Sequence, residues 1–552
     1  MFARIASIGL LGLEAFPVRV EVDVSSGLPA FDIVGLPDAS VRESRERVRA
    51  AIRNAGLEFP MKRVTVNLAP ADLRKEGPAF DLPIAIGILA ATGQVPLEEA
   101  AAGFWVGELS LDGKVKGIAG VLAMAWALRH GFAGWEMIGR ETGKGTETEA
   151  SPAEVSGYLA VPEENFAEAS LVSGLMLWPV DSLQRIVEAL REGGAEAIKS
   201  VGLKEGHNTL NLEGGCARNI FQKEDSSGHS QRVFDLADIK GLAIAKRALE
   251  IAAAGGHHLL LVGPPGAGKT MLSRCLPSIL PPMTLEESLE VTRIYSVAGL
   301  LPRGQHLITE RPFRTPHHTS STASLVGGGR IPRPGEISLA HCGVLYLDEM
   351  LEFSREALEA LRQPLEDGVI TVARLGATIT FPSRISLIGS TNPCPCGFLG
   401  DQQRQCSCTP RQIQRYRQKL SGPLLDRFDL QVEVSRLTWG EMALSKESES
   451  SSAVRVRVEE ARKIQEKRLK ERGIFCNAAM GRKEIEVFCR LDGRCKTLLR
   501  SSFKQLGLSA RAYDRVLRVA RTIADLEGSA AIKEVHLAEA LQYRAWERQI
   551  FD

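Results

Sequence analysis

The stretch GPPGAGKT, residues 263–270, constrains the fold of this chain more than any other. An apolar run, Leu259–Val262, precedes it, and a segment with helical periodicity follows it. The glycines let backbone N–H groups approach phosphate oxygens, and the N-terminus of the following helix favours negative charge. The pattern therefore predicts a buried strand, a phosphate-binding loop and a helix, which together begin an α/β nucleotide-binding domain.

Each part of this loop has an expected role in binding ATP. Lys269 is expected to reach the β- and γ-phosphates, and the Thr270 hydroxyl is expected to ligate Mg²⁺. A glycine-rich turn with no ligand is a poor explanation, because strand, loop and helix occur in the required order. The residues predicted to bind the nucleotide are Gly263, Pro264, Pro265, Gly266, Ala267, Gly268, Lys269 and Thr270.

A second apolar run, in GVLYLDEM, ends in two acidic residues. We expect Asp348 to hold Mg²⁺ through water and Glu349 to polarise the water that attacks the γ-phosphate. An apolar run that ends in Asp-Glu is common by itself. When it follows a phosphate-binding loop in the same domain, it predicts the acidic half of an ATPase site.

Further polar residues follow in the order expected of an ATPase. Asn392 ends the apolar run ISLIGSTN, where its amide is expected to position the attacking water. Arg427, in SGPLLDRFDL, is the candidate arginine finger, a cation that stabilises transition-state charge on the ATP of a neighbouring subunit. In the C-terminal helices, Arg511 is the candidate that closes over the phosphates from a lid, and Arg515 is the alternative.

A chain of 552 residues is too long for one hydrophobic core, so we expect about two to four domains. Residues 1–190 predict a strand-rich domain, and 191–232 form a Gly-, Ser- and charge-rich stretch typical of a linker. Residues 233–440 alternate strands with helices, which predicts a parallel sheet. Residues 453–552 predict a helical domain.

The net charge of +1 does not by itself indicate a nucleic-acid partner. The charge is distributed unevenly, because the stretch from Ala453 to the last residue contains 22 Lys and Arg but only 14 Asp and Glu. A basic domain is expected where phosphates are bound, although a solvated helical face gives the same balance.

Four of the ten cysteines lie in the stretch NPCPCGFLGDQQRQCSC, at Cys394, Cys396, Cys406 and Cys408. Two close pairs of thiolates can complete a tetrahedral Zn²⁺ site whose role is structural; free thiols and a redox switch are the alternatives. The other cysteines are scattered singly, which favours a reducing cytoplasm. We expect neither a signal peptide nor a membrane span.

Taken in order, these residues are the parts of an AAA+ ATPase, and longer stretches resemble one family more closely. RPFRTPHHTSSTASLVGGGRIPRPGEISLAHCGVLYLDE, LRQPLEDG, STNPCPCGF and SGPLLDRFDL are similar to the magnesium-chelatase-like AAA+ family, and most similar to its YifB/ComM branch. The resemblance covers essentially the full length.

The resemblance implies a homohexameric ring that holds ATP at its subunit interfaces. Arg427 would then act on the neighbouring subunit, and Arg511 would be the lid (sensor-2) arginine. ComM proteins are linked to DNA branch migration during natural transformation, which implies a ring helicase with single-stranded or branched DNA and recombination proteins as partners. Chelatase subunits use ATP to drive metal insertion into a porphyrin, so a motor that remodels a protein partner is the alternative. The residues that would act within one subunit are Lys269, Thr270, Asp348, Glu349 and Asn392.

Two loops are candidates for DNA contact. GVITVARLGATITFP alternates apolar and polar residues around a turn, which predicts a hairpin with Arg374 near its tip. In the resembled ring motors such a hairpin points into the pore, where a cation would bind phosphates; a surface arginine without a ligand is the alternative. His317 and His318, on a Gly/Ser-rich loop, are weaker candidates for DNA or metal contact.

The first domain resembles the Lon protease domain, in the variant of the YifB/ComM branch. Lon-type hydrolysis needs a Ser nucleophile and a Lys base, and the matching positions here are Ala79 and Leu122. We therefore expect a scaffold or DNA-guiding domain without peptidase activity. The expected fold is an α/β multidomain chain: a Lon-protease-like α+β domain, a central AAA+ P-loop α/β domain with a parallel sheet and a four-cysteine insert at 394–408, and a C-terminal helical lid domain.

Overall fold

The computed structural model describes residues 1–132, 157–192, 204–205, 234–302, 304–329, 332–374, 377–401, 403–436, 448–506 and 509–544. The chain forms two compact units. The first contains Met1–Lys223 together with Leu289–Ile308, and the second contains Glu224–Ser288 together with Thr309–Asp552. Most of the predicted linker, 191–232, lies outside the described residues.

The first unit is built on a mixed eight-stranded sheet of order β10-β9-β8-β5-β1-β2-β4-β3. The long strands β1 and β2 pair antiparallel over their whole length, and β5, β8 and β9 are mutually parallel. A small antiparallel pair, β6 and β7, lies outside this sheet. The strands are β1 Phe2–Leu11, β2 Glu14–Ser25, β3 Ala30–Val34, β4 Arg63–Ala69, β5 Phe104–Trp105, β6 Glu108–Leu109, β7 Val115–Lys116, β8 Tyr158–Pro162, β9 Met176–Val180 and β10 Lys204–Glu205.

The helices of this unit follow the apolar periodicity of the sequence. Ala39–Asn54 begins where the Asp38 carboxylate accepts a hydrogen bond from the Val41 N–H, 2.7 Å away, and its buried side chains recur at helical spacing. Asp81–Ala91 is buried along its full length, as its nearly unbroken apolar sequence requires. The other helices are Leu97–Ala101, Val121–His130, Phe166–Ala169 and Leu183–Arg191, with 3₁₀ turns at Pro78–Phe80 and Glu163–Asn165.

A segment from the middle of the chain completes the first unit. Leu289–Ile308 groups with the N-terminal residues, although sequence boundaries alone assign it to the 233–440 domain. The Ser296 hydroxyl donates a hydrogen bond to Glu168, and Arg293 donates to the Leu13 carbonyl at 3.2 Å. The helix Leu285–Ala298 therefore begins in the second unit and ends in the first.

The second unit contains the expected parallel sheet. Its five strands have the order β12-β15-β18-β11-β19, and each neighbouring pair is parallel. β11 and β15 are buried at every position, which is typical of parallel strands covered on both faces. The strands are β11 Leu259–Val262, β12 Phe313–Arg314, β15 Val344–Leu347, β18 Ser386–Thr391 and β19 Leu430–Glu433.

Two antiparallel pairs extend from this unit. β13 Gly327–Gly328 pairs with β14 Arg333–Pro334, and β16 Val369–Arg374 pairs with β17 Ala377–Pro382. The second pair confirms the hairpin predicted from GVITVARLGATITFP. Arg374 is the last residue of β16, and its side chain lies outside the described residues.

Helices cover the parallel sheet and continue into the C-terminal region. One hydrophobic cluster joins the two: Leu249 and Leu261 of the ATPase region share it with Val458 and Val516 of the C-terminal helices. The helices are Ala243–Gly255, Lys269–Arg274, Leu276–Ile279, Thr322–Val326, Glu336–Leu339, Arg355–Glu359, Arg362–Asp367, Pro410–Arg417, Gly422–Leu425, Ser451–Leu469, Arg482–Phe488, Gly493–Leu506, Ala510–Leu526 and Glu534–Gln542. The 3₁₀ turns are Leu236–Asp238, Met350–Glu352, Lys470–Arg472 and Asn477–Ala479. Among the helices in the described ranges, none combines the length and apolar character needed to cross a membrane.

Candidate nucleotide-binding site

The loop 263–270 connects β11 to the helix Lys269–Arg274. A Cβ on Gly263 would stand 2.1 Å from the Val434 carbonyl oxygen, so a larger residue does not fit there. Gly266 and Gly268 have φ of +78° and +88°, a region that L side chains rarely adopt. The backbone path of the loop therefore requires glycine at these positions.

Lys269 is buried and bound to its own loop. Its ammonium donates hydrogen bonds to the carbonyl oxygens of Gly263 at 2.5 Å and Pro264 at 3.0 Å, and to Asn392 Oδ1 at 3.2 Å. Burial lowers the pKa of Lys269 to about 8, although Asp348 and Glu349 oppose this shift. The cation is therefore held beside the loop, within reach of a phosphate that would replace these weaker partners.

Asp348 is at the centre of a group of hydroxyl donors. Ser390 donates to its carboxylate at 2.5 Å, Tyr346 at 2.9 Å and Thr270 at 3.0 Å. Burial favours the protonated form, but these hydrogen bonds outweigh it and lower the pKa of Asp348. A carboxylate and a hydroxyl at this separation are oxygen ligands suited to Mg²⁺, so Thr270 and Asp348 fit the predicted metal role.

Glu349 follows in a left-handed backbone conformation with φ of +49°, which is uncommon for a residue with a Cβ. Its N–H donates to Asp348 Oδ1 at 3.1 Å, while its side chain is exposed. The two neighbouring carboxylates therefore differ in environment: Asp348 is enclosed by donors, and Glu349 is open to water. This is the division expected of a metal ligand and a water-polarising base.

Asn392 directly follows β18, the strand between β11 and β15. Parallel strands end at one edge of a sheet, so the loop after β11, Asp348 after β15 and Asn392 after β18 lie together there. The hydrogen bond between Lys269 and Asn392 joins two of these strand ends. The sequence prediction that these residues form one site is consistent with this geometry.

The side chain of Arg427, in the same unit, has none of the strand-end residues described above among its hydrogen-bond and ion-pair partners in the described part of the chain. It is 6% exposed and donates to the carbonyl oxygens of Pro423 at 2.6 Å and Arg362 at 3.2 Å, and it forms an ion pair with Glu366. Arg511, which is exposed, also lies 3.9 Å from the Glu366 carboxylate. The structure thus brings the two candidate arginines together on one acidic side chain.

Arg511 also lines a cavity of about 730 Å³ at the opposite edge of the sheet from the loop 263–270. The cavity is bounded by His258, Gly343 and Ser386, which lie where β11, β15 and β18 begin. A four-residue strand is about 13 Å long, so this position separates Arg511 from the loop of its own subunit. Arg511, the predicted lid arginine, therefore lies on the side of the sheet away from the loop of its own chain.

Arg515 belongs to a buried network that connects the sheet to the helix Ala510–Leu526. It forms an ion pair with Asp429 at 3.2 Å, and Asp429 also lies 3.2 Å from His257 Nδ1. His257 Nε2 is 2.8 Å from the Thr522 hydroxyl on the same helix. Burial favours a neutral Asp429, but Arg515 and His257 hold the pKa of this carboxyl well below its usual range. Arg515 therefore has a structural partner.

The cysteine knuckle, residues 394–408, brings its four thiols together. The Cys394 sulfur is 3.4 Å from that of Cys396 and 3.6 Å from that of Cys406, and all four sulfurs, including that of Cys408, lie within 4.8 Å of one another. A tetrahedral Zn²⁺ with bonds of about 2.3 Å separates its sulfurs by about 3.8 Å. The backbone N–H of Phe398 lowers the pKa of Cys396 to about 6, which favours the thiolate that a metal ion requires. The donor set fits Zn²⁺.

Several residues of the site were not singled out in the sequence. Tyr346 lies on β15 two positions before Asp348, which follows the strand, so period-two alternation could have identified the tyrosine as a neighbour. Ser390, near the end of β18, is likewise two positions before a predicted site residue, Asn392. Arg436 donates to the Pro265 carbonyl at 2.8 Å and Glu366 binds Arg427, but neither contact has a sequence signature.

The two positions that match the Lon dyad are both apolar and buried. Ala79 is 8% exposed and Leu122 is 0% exposed, and both belong to one hydrophobic cluster of the first unit. The rings of His317 and His318, the weaker loop candidates, lie at a tilt of 33° with centroids 4.2 Å apart, and His317 Nδ1 lies 2.8 Å from the Thr319 hydroxyl.

A phosphate-binding loop, a carboxylate and an amide at the ends of adjacent parallel strands define a P-loop nucleotide-binding protein. Three family models match the chain and make this class more specific. They are "Subunit ChlI of Mg-chelatase" over residues 20–135, "Magnesium chelatase, subunit ChlI" over 235–442 and "Magnesium chelatase, subunit ChlI C-terminal" over 448–544.

Similar proteins match along nearly the whole chain. Competence protein ComM of Haemophilus influenzae is 43% identical over 550 residues, which is 99% of this chain and 98% of ComM. YifB of Escherichia coli is 42% identical over 542 residues, 98% of this chain and 96% of YifB. The magnesium-chelatase 67 kDa subunit of Chlorobaculum parvum is 28% identical over 162 residues, 28% of this chain and 23% of that subunit. The chain belongs to the magnesium-chelatase-like ComM/YifB family, as the sequence motifs predicted.

Proposed function

We propose that this protein is a cytoplasmic, ATP-driven ring motor that moves on DNA during uptake and recombination. The observation that carries the proposal is the similarity to a competence protein over nearly the whole length of both chains. The complete set of P-loop residues and the acidic pair after β15 support ATP hydrolysis as its energy source.

Within one subunit, the chemistry of ATP hydrolysis follows from the residues at the strand ends. Lys269 neutralises charge on the β- and γ-phosphates, and Glu349 accepts a proton from the attacking water, which Asn392 orients. Thr270 and Asp348 hold Mg²⁺, which when bound neutralises developing charge on the phosphate oxygens.

The remaining charge on the transition state is stabilised from the next subunit of a hexamer. Arg427 and Arg511 share Glu366 in the isolated chain, which supports a common role on one face. Because Arg511 lies at the edge where the strands begin, we assign both arginines to the ATP of the neighbour, in contrast to a lid role within one subunit. A head-to-tail interface closes into a ring when its rotation brings the last subunit back to the first, as the proposed hexamer requires.

DNA passes through the ring in this proposal. The hairpin of β16 and β17 carries Arg374 near its tip, and the C-terminal region from Ala453 is basic. A cation on a pore hairpin would bind the phosphate backbone without regard to sequence. The first unit acts as a Lon-like scaffold that guides DNA, and buried Ala79 and Leu122 support the absence of peptidase activity.

We also infer that Cys394, Cys396, Cys406 and Cys408 hold a structural Zn²⁺. The sulfurs of Cys394, Cys396 and Cys406 are 3.4–3.6 Å apart, close to the edge of a ZnS₄ tetrahedron, and that of Cys408 lies within 4.8 Å of them. Four such ligands leave no position open for water.

The proposal is tested by ATP hydrolysis with single-stranded, duplex and four-way-junction DNA at low and high salt. We expect stimulation by branched or single-stranded DNA that falls as salt rises, since phosphate contacts release counterions. Glu349→Gln should reduce hydrolysis by about 10²-fold or more and serves as the blank. Arg374→Ala should lose the stimulation, whereas Arg355→Ala, an exposed arginine on another element, should keep it.

A second function has a specific observation in its favour, the similarity to a magnesium-chelatase subunit. A motor of that type would remodel a protein partner or assist metal insertion and would not act on DNA. Active ATP hydrolysis that no DNA changes at either salt concentration would reject the DNA motor and favour this alternative. The search would then turn to proteins that stimulate the ATPase.

A further inference from the structure

The cysteine knuckle lies against the phosphate-binding loop of its own chain. Gly397, between the two cysteine pairs, approaches Pro265 so closely that a Cβ on Gly397 would stand 2.7 Å from the Pro265 ring. Gly397 also has φ of +84°, so this position requires glycine for two reasons. The knuckle and the loop therefore pack directly, without an intervening side chain.

Arg436 forms a second connection between them. Its guanidinium donates two hydrogen bonds to the Pro265 carbonyl, at 2.8 and 3.2 Å, and pairs with Asp401 of the knuckle at 3.5 Å. It also stacks on Phe398 of the knuckle, 5.4 Å from the ring centroid. Arg436 thus joins the backbone of the phosphate-binding loop to an acidic and an aromatic side chain of the knuckle.

The third connection is covalent. Asn392, the residue proposed to orient the attacking water, is two positions before Cys394. The Arg417 side chain donates to the Pro393 carbonyl at 3.3 Å, which fixes the peptide between them. Cys394 is fully buried, so the first metal ligand is anchored beside the residue that bonds to Lys269.

We propose that the zinc-bound knuckle is a support for the phosphate-binding loop, so that occupancy of the four-cysteine site sets the affinity for ATP. This inference rests on the proposed zinc site and does not depend on DNA as the substrate. Four thiolates around one ion fix the path of residues 394–408, and that path fixes Pro265 through Gly397 and Arg436. Without the ion, no metal bonds link the four cysteine side chains to one another, and the loop loses this support.

Two arginines that contact the aromatic ring of Phe398 provide a matched pair of variants. Arg404 stacks on Phe398 at 5.2 Å, as Arg436 does at 5.4 Å, but only Arg436 reaches Pro265. Arg436→Ala should retain one zinc per chain and weaken binding of a fluorescent ATP analogue by about tenfold, the usual scale for residues that support a site indirectly. Arg404→Ala should retain both zinc and affinity.

The full-length protein is measured for zinc by mass spectrometry and for affinity by fluorescence titration. The double variant Cys406→Ser, Cys408→Ser should lose the metal and bind the analogue at least tenfold more weakly, while Cys476→Ser, outside the knuckle, should change neither. Absence of zinc from the wild-type protein overturns the zinc site. Zinc at one per chain with unchanged affinity in Arg436→Ala overturns the support role alone. Melting temperatures close to that of the wild type identify variants that remain folded.

Discussion

Lys269 gives the nucleotide site a pH dependence that follows from its burial. Its pKa is lowered to about 8, so the ammonium of the free protein loses its proton as pH rises through that value. Phosphate binds the charged form, so binding above pH 8 must include uptake of a proton. We therefore expect the affinity for an ATP analogue to be constant at lower pH and to fall by up to about tenfold per pH unit above about pH 8.

This expectation is measured by titrating the analogue between about pH 7 and pH 9.5, a range that covers the change of charge. Lys269→Arg is the control, because a guanidinium stays charged throughout this range. The variant should bind more weakly overall but with little pH dependence. A wild-type affinity that does not change across the range would contradict a buried, titrating Lys269.

At the scale of single elements, Glu366 at the end of the helix Arg362–Asp367 holds Arg427 and lies beside Arg511. If both arginines serve the next subunit, inactive variants should rescue each other. Lys269→Ala lacks a working phosphate loop, and Arg427→Ala lacks the finger, so each protein alone should be inactive. In an equal mixture about one interface in four combines an intact loop with an intact finger, and activity should return.

This mixing experiment has a matched control. A mixture of Lys269→Ala with a Lys269→Ala, Arg427→Ala double variant contains no interface with an intact loop and should stay inactive. Failure of the first mixture to recover, when both proteins assemble, would place Arg427 in the site of its own subunit.

The network of Asp429, His257 and Arg515 predicts a stability effect. Removing one partner leaves a buried charge unpaired, so Asp429→Asn should lower the free energy of unfolding by about 3 kcal/mol. The lowered pKa of Asp429 means that its contribution is present above about pH 4 and is lost as pH falls below that value. The difference between wild type and variant should therefore shrink in acid.

The measurement is urea unfolding at neutral and acidic pH, with hydrogen exchange of the helix Ala510–Leu526 as a local readout. Exposed Glu433→Gln, on the strand that follows, is the control and should leave both unchanged. Equal stability of Asp429→Asn and wild type at neutral pH would contradict a structural role for the network.

Local patterns allowed part of this architecture to be predicted. The phosphate loop, Asp348 and Asn392 each end an apolar strand, and parallel strands bring such ends together, so sequence alone indicated one site. The edge of the parallel sheet near which Arg511 lies depends on how the C-terminal helices pack on that sheet, and no local sequence pattern encodes this packing. The contact of the knuckle with Pro265 is equally a product of tertiary packing.

At the scale of the whole molecule, the segment Leu289–Ile308 determines where the chain can be cut. It belongs to the first unit, and its Val291 and Ile294 are 0% and 1% exposed. A chain that begins at Glu224 lacks Leu13 and Glu168, which bind Arg293 and Ser296 of this segment, so the segment loses the unit to which it belongs. We expect it to self-associate and to bind an apolar dye, as measured by light scattering and dye fluorescence.

A second variant tests whether self-association and dye binding come from this segment or from a general loss of folding. Adding Val291→Thr and Ile294→Thr to the shortened chain removes apolar surface from this segment alone and should reduce both signals. A shortened chain that stays monomeric and binds no dye would contradict the assignment of the segment to the first unit.

The same segment imposes an order on synthesis. The first unit requires residues up to Ile308, so it cannot be completed when Lys223 leaves the ribosome; 308 − 223 = 85 further residues must be made first. At about 5–20 residues per second, this is a delay of roughly 4–17 s. By then the phosphate-binding loop has already been translated, so the nascent chain carries an unfinished N-terminal sheet while the ATPase region is emerging.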